Sequence, residues 1–295
     1  MIFKSKCSAR FLLGALVTAG CFIAFAAGAE NAAPQACVTA PKSSLVVNVK
    51  DKGVKGDGQT EDTAVIQAAI DEVGGTEGTV LVPKGTYIVD AVDKKQRLSL
   101  RGDMTLKLAD GATLKAIPND SRKYSVLSIS GASNVTVVGG TLEGDRAEHR
   151  DNEGEAGMGI RIEHDANNVT ISGVTSRKMW GDGFYVEGAT DTKFCGVTAD
   201  SNRRQGLSIV EANGVLVTNS VFSNTRGTRP SAGIDLEPDN PSQKIFNVRI
   251  ESSKFLNNAG PGIEIAARRA PSPRSSSRVM FSRTIAPSWS RMHLL

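Results

Sequence analysis

A short pattern, glycine–apolar–variable–apolar, recurs at long and nearly even intervals and limits what this chain can fold into. It reads Gly159-Ile160-Arg161-Ile162, Gly183-Phe184-Tyr185-Val186, Gly206-Leu207-Ser208-Ile209, Gly233-Ile234-Asp235-Leu236 and Gly262-Ile263-Glu264-Ile265. The glycines are 24, 23, 27 and 29 residues apart. A second apolar pattern interleaves with it at Val169-Thr170-Ile171, Thr192-Lys193-Phe194, Val215-Leu216-Val217 and Val248-Arg249-Ile250. Two strand signals per period of 20 to 30 residues point to a solenoid in which each repeat is one coil.

Successive side chains of a strand point to opposite faces. The apolar pair around each variable position is therefore expected inside, as one stacked aliphatic column. The variable residues Arg161, Tyr185, Ser208, Asp235 and Glu264 are expected outside, where function can sit.

The flanks differ from the body. Residues 1–29 read as a secretory signal: Lys4, Lys6 and Arg10 precede an apolar run from Phe11 to Ala26, and Ala27-Gly28-Ala29 matches a small-x-small cleavage site. The run is short for a membrane span, so the expectation is cleavage, a periplasmic or secreted protein and no span after cleavage. Residues 30–44 form a linker, 45–267 the solenoid domain and 268–295 a basic tail rich in Ser and Pro. Two readings of the tail stay open, a disordered segment or a truncated solenoid that has left its native frame. Cys37 and Cys195 remain after the leader. They either pair in an oxidising compartment or leave Cys195 in the core.

Charge is distributed unevenly. Three of the 35 basic residues lie in the leader and six in the tail, whereas all 31 acids lie between Glu30 and Glu264. The body thus holds 26 basic against 31 acidic residues, net −5, which disfavours nucleic acid as a partner. A polyanionic ligand needs a local basic patch or a bridging cation.

Leu45 to Val49 reads as a first strand, and Thr60 as the N-cap of a helix whose stripe is Val65, Ile66, Ala69, Ile70 and Val73. This helix suits the open end of the solenoid. Gly56 and Gly58 before it lack the rest of a nucleotide fingerprint. Short strands follow at 79–82, 86–89, 98–100, 104–108, 113–115, 126–129 and 135–137.

The run Asn48-Val49-Lys50-Asp51, Gly56-Asp57-Gly58-Gln59-Thr60-Glu61-Asp62-Thr63 and Ile66-Gln67-Ala68-Ala69-Ile70-Asp71 resembles the opening of the pectate-lyase-like superfamily. Gly78-Thr79-Val80-Leu81-Val82-Pro83-Lys84-Gly85-Thr86-Tyr87, the stretch from Leu106 to Leu114 and Gly140-Thr141-Leu142-Glu143-Gly144 continue the likeness, over roughly residues 45 to 265. The resemblance implies an all-β fold, a right-handed parallel β-helix solenoid with a short N-terminal capping helix. It also implies a polysaccharide ligand, often a polyuronate. Against mannuronan C5-epimerases, Gly183, Phe184, Arg204 and Gly206 match, whereas the catalytic Tyr, Asp and two His positions hold Asp182, Tyr185, Glu187 and Gln205. Against polygalacturonases, Asp182 and the glycine framing of Arg204-Gln205-Gly206 are similar.

Coil stacking brings Asp182, Tyr185, Arg204, Asp235 and Glu237 together as candidate catalytic groups. Arg161, Glu187, Arg203, Gln205 and Ser208 surround them as candidate substrate-binding residues. Asp235 and Glu237 alternate on one strand, roughly 6.6 Å apart and both outward. With Asp239 they also offer oxygen ligands for Ca²⁺. The insertion from Gly144 to Gly157 breaks the period and either overhangs the cleft or is a solvated excursion. His149 and His164 lack zinc-ligand spacing. Three functions remain open: a lyase or epimerase on an acidic polysaccharide, with Arg204 offsetting its carboxylate; a glycoside hydrolase using two of Asp182, Asp235 and Glu237; and a non-catalytic glycan-binding solenoid.

Overall fold

The computed structural model describes Cys37, residues 43–92 and 97–266, and the backbone of Val279–Phe281 and His293–Leu294. The leader, most of the linker and most of the tail lie outside the described residues. Among those described, no helix is long and apolar enough to cross a membrane.

The repeat folds as its spacing predicts. Strands Ala156–Glu163, Phe184–Cys195, Leu207–Thr218, Ile234–Leu236 and Ile263–Ile265 stack in parallel. Ile160 pairs with Phe184, Phe184 with Leu207, Leu207 with Ile234 and Ile234 with Ile263. Ile160, Phe184, Leu207 and Ile234 are fully buried, and Ile263 packs partly buried at the end of the column. The second pattern stacks likewise, through Val169, Thr192, Val215 and Val248. The protein is a right-handed parallel β-helix.

The repeated glycine has a steric cause. A Cβ on Gly159 would stand 2.5 Å from the carbonyl oxygen of Gly183, one on Gly183 2.7 Å from that of Gly206, and one on Gly206 2.4 Å from that of Gly233. Those same carbonyls accept the backbone N–H groups of Ile160, Phe184 and Leu207. The coils thus approach closest where no side chain intervenes. Gly206→Ala is expected to lower unfolding stability by about 3 kcal/mol, because the obstruction is backbone that cannot rotate away. A thermal melt that matches wild type would show that the coils can spread there at little cost.

Each coil also has a third strand that alternation did not announce. Thr141–Glu143, Thr175–Arg177, Thr198–Asp200, Val221–Ser223 and Lys254–Leu256 stack in the second, eight-stranded sheet. Each three-residue strand turns one side chain inward, and in this series those are Leu142, Ser176, Ala199, Phe222 and Phe255. A single inward residue is too short a signal to read as alternation.

The Thr63–Val73 helix buries Ile66, Ala69, Ile70 and Val73, while Val65 lies at the surface. Its N-cap position is Asp62, not Thr60. Asp62 turns away to accept the backbone N–H groups of Lys55 and Gly56, at 2.8 and 2.9 Å. Thr60 sits in the Asp57–Glu61 strand and donates to Asp57.

Cys37 and Cys195 form a disulfide across 158 residues of sequence, which ties the segment before the first strand to the end of the Phe184–Cys195 strand. Two short strands lie within the segment read either as a disordered tail or as a truncated solenoid. Val279–Phe281 pairs with Ile245–Glu251, and His293–Leu294 with Ile263–Ile265. An exposed parallel edge offers unpaired backbone groups to any extended segment that follows.

Candidate active site

Stacking puts Arg161, Tyr185, Ser208, Asp235 and Glu264 in one register column, as alternation predicts. Their exposure differs from the expectation. Arg161, Tyr185, Ser208 and Asp235 are all buried, the last two almost completely. The outer face of these strands is covered by a small apolar cluster of Met158, Tyr185 and Val210, with Ala156 against it.

A cleft of about 170 Å³ remains over this covered face. It is lined by Glu155, Arg161, Tyr185, Arg204, Glu237 and Asp239, together with Lys123 and the apolar cluster. Of the ten candidate catalytic or substrate-binding residues, only Arg161, Tyr185, Arg204 and Glu237 reach the cleft. Asp182, Gln205, Ser208 and Asp235 stand behind it.

Arg204 organises the carboxylates. Its Nη1 donates to Asp182 Oδ2 at 3.1 Å and to Ser208 Oγ at 3.3 Å. Its Nη2 donates to Glu237 Oε1 at 2.6 Å, and its Nε lies 3.5 Å from Glu155 Oε2. Ser208 donates to the same Asp182 oxygen at 2.8 Å, while Asp182 Oδ1 is buried without a partner. Burial raises the Asp182 carboxyl to about 7 despite the neighbouring guanidinium. The carboxylates hold Arg204 above its ordinary basicity although burial opposes this.

Asp235 is held from behind. Gln205 Nε2 donates to its Oδ2 at 2.7 Å, and Gln205 Oε1 accepts the backbone N–H of Ala232 at 3.0 Å. Burial first, and then the Glu237 carboxylate within hydrogen-bonding reach, push the Asp235 carboxyl far above the ordinary range. This favours the protonated form of Asp235 at neutral pH, and its Oδ1 is buried without a hydrogen-bond partner among the described residues. Asp239 is exposed at the cleft rim.

Of the three acids expected to offer oxygen to Ca²⁺, Asp235 accepts from Gln205 and Glu237 from Arg204, and Asp239 lines the cleft. Among the described residues, no group of three or more His, Cys, Asp or Glu side chains is placed to hold an ion.

Tyr185 also differs from a proton-abstracting group. Its hydroxyl donates to Glu187 Oε2 at 2.9 Å, and the Arg161 guanidinium lies 4.7 Å from its ring centre. Burial and then Glu187 raise its pKa, so it stays a neutral phenol. Glu187 is further held by Gln243. Arg203 faces elsewhere, 3.8 Å from the Trp180 ring and donating to the carbonyl of Gly154 at 2.8 Å.

The 144–157 insertion supplies what residue-by-residue reading missed. Asp145 accepts from Tyr124 and Asn119 and contacts His149, and His149 stacks on Trp180 at 4.1 Å. The segment is thus pinned by buried groups and overhangs the cleft, delivering Glu155 to Arg204. Its break in the repeat period was the available signal.

The protein-family model described as rhamnogalacturonase A/epimerase, pectate lyase-like, matches residues 46–242. The chain is 29% identical over 259 residues to the Bacillus subtilis protein YclG, covering 75% of this chain and 43% of the relative. It is 27% identical over 259 residues to the mannuronan C5-epimerase AlgE3 of Azotobacter vinelandii, covering 74% of this chain and 14% of the relative. In fold it is similar to the A-module of the Azotobacter vinelandii mannuronan C-5 epimerase AlgE4, with a TM-score of 0.56 at 24% identity over 75% of this chain and 74% of that one. The chain spans less than half the length of these curated relatives.

Proposed function

We propose that this chain, which belongs to the rhamnogalacturonase A/epimerase, pectate lyase-like family, is a polysaccharide-cleaving enzyme that works by carboxyl acid–base hydrolysis. The observation that carries this reading is the buried Asp235 carboxyl, held by Gln205 and raised by burial, next to Glu237 at the wall of the cleft. Asp235 holds a proton at neutral pH, and Glu237, which faces the substrate, relays it to the glycosidic oxygen as the C–O bond breaks. Glu155, exposed on the far side of Arg204, takes the proton of the attacking water, which ends on the anomeric carbon. Asp182 and Ser208 fix Arg204 between the two carboxylates.

Incubation with a panel of polysaccharides tests the assignment by two readouts. Hydrolysis yields new reducing ends without ultraviolet absorbance. Unsaturated products absorbing in the ultraviolet would replace it with a lyase. That second reading is favoured by the relative named as a mannuronan C5-epimerase and by Arg204 at the cleft. It is disfavoured by the neutral phenol of Tyr185 and by the four polar contacts that already engage Arg204. Binding without either product would leave a glycan-binding solenoid.

The Cys37–Cys195 bond, with the signal-like sequence of residues 1–29, supports action outside the reducing cytosol. Protein isolated under native conditions should resist thiol alkylation at both positions until reduced. Ready alkylation before reduction would remove this support.

A further inference from the structure

We propose, resting on that hydrolase reading, that Arg203 is a positioning residue: it grips the main chain of residues 152–154 and so sets the Glu155 carboxylate beside Arg204, where the attacking water gives up its proton. Arg203 does not line the cleft, so it is not placed to bind substrate as the sequence suggests. The partners of its guanidinium are carbonyls and an indole. Nη1 donates to the carbonyl of Gly154 at 2.8 Å, and Nη2 more loosely to that of Asn152 at 3.5 Å. The carbonyl between them, on Glu153, accepts from Trp180 Nε1 at 3.2 Å. The carbonyls of Asn152, Glu153 and Gly154 are thus all held by Arg203 or Trp180. These two also hold each other, since the guanidinium lies 3.8 Å from the centre of the Trp180 ring, on which His149 stacks as well.

The anchored stretch ends at the carboxylate. Arg203 binds the carbonyl of Gly154, and the backbone N–H of Ala156 donates to the carbonyl of Arg122 at 3.2 Å, where the Ala156–Glu163 strand begins. Glu155 therefore stands between two fixed peptide groups. Its own carbonyl packs so close on Gly181 that a Cβ there would lie 2.1 Å from it. The side chain, by contrast, is 54% exposed, and its Oε2 is 3.5 Å from Arg204 Nε. A half-exposed carboxylate with so loose a contact is held in place only if the backbone beneath it is fixed. A shift of about 1 Å at a reacting group can cost about 10²-fold in rate.

Arginine suits this role. Its planar fork donates to two carbonyls while its face lies on the indole, which a lysine ammonium cannot do. The two neighbouring arginines divide the segment between them: Arg203 takes its main chain and Arg204 meets its side chain.

Kinetics on whichever polysaccharide yields reducing ends, with amide hydrogen exchange on the full chain, tests this. Arg203→Ala is expected to lower kcat about 10–100-fold with KM little changed. Arg203→Lys, which keeps the charge and can reach one carbonyl, should fold like wild type and recover part of the loss. Glu155→Gln should lower kcat about 10²–10⁴-fold, and adding Arg203→Ala to it should remove little more, because Arg203 acts through Glu155. In Arg203→Ala the amides of residues 152–157 should exchange about tenfold faster, while those of the Phe184–Cys195 strand keep their rates. Losses that multiply in the double variant, a raised KM at unchanged kcat, or unchanged exchange at 152–157 would overturn the proposal. Faster exchange at 152–157 in a protein that releases no reducing ends from any polysaccharide would sink only the hydrolase reading.

Discussion

Replacing Glu237 with Gln is expected to lower kcat by about 10²–10⁴-fold on any substrate the protein cleaves, with KM little changed. Glu237 lines the cleft, and in the proposed hydrolysis its carboxyl meets the glycosidic oxygen. Asp235→Asn should also reduce kcat, while keeping the fold. The amide oxygen can still accept from Gln205, but the group has no acidic proton to transfer. Wild-type kcat/KM should decline as pH rises through the raised pKa of the Asp235 carboxyl. In Asp235→Asn that alkaline limb should move or vanish. An unchanged limb would place the essential acid elsewhere.

The same groups set how stability varies with pH. Asp182 and Asp235 hold their protons in the folded chain at pH values where the unfolded chain has released them. Their contribution is full below the ordinary carboxylate pKa of about 4. It is lost as pH rises through the folded value, which is about 7 for Asp182. Melting temperature should therefore fall across this interval. Asp235→Asn should flatten the fall and gain most on wild type at alkaline pH. Parallel melting curves for the two proteins would mean that Asp235 is ionised in the fold.

Arg204→Ala is expected to lower stability by about 1–3 kcal/mol, because Asp182 can take up a proton while buried polar groups lose their hydrogen-bond donor. Among the described residues, Arg204 is the cation within hydrogen-bonding distance of the buried Asp182, and it also holds Glu237. Without it Asp182 should titrate higher, since the guanidinium is what lowers it. Arg204→Lys should recover part of the loss, because one ammonium cannot span Asp182 and Glu237 as the planar fork does. A variant that melts like wild type and shows only a raised KM would reassign Arg204 to the substrate's carboxylate.

What the sequence determined by itself was the coil. The glycine–apolar–variable–apolar period identifies Ile160, Phe184, Leu207 and Ile234 as one buried column, because strand alternation and core packing are local rules. The glycines carry a matching constraint, since only they allow consecutive coils to meet carbonyl to backbone. The same period placed Asp182, Arg204, Asp235 and Glu237 near one another. Tertiary structure decided what that face is. Alternation marks Ser208 and Asp235 as pointing away from the main column, yet it says nothing of what packs over them. Both are buried, Ser208 bonded to Asp182 and Arg204 and Asp235 to Gln205, beside the cluster that Met158, Tyr185 and Val210 form from three coils. Burial and the contact with Glu237, not residue type, turned Asp235 from a surface acid into a protonated one. Glu155 reached Arg204 on a segment whose course depends on His149 stacking upon Trp180. Such facts concern which charges lie together in space, and no repeat period along the chain encodes them.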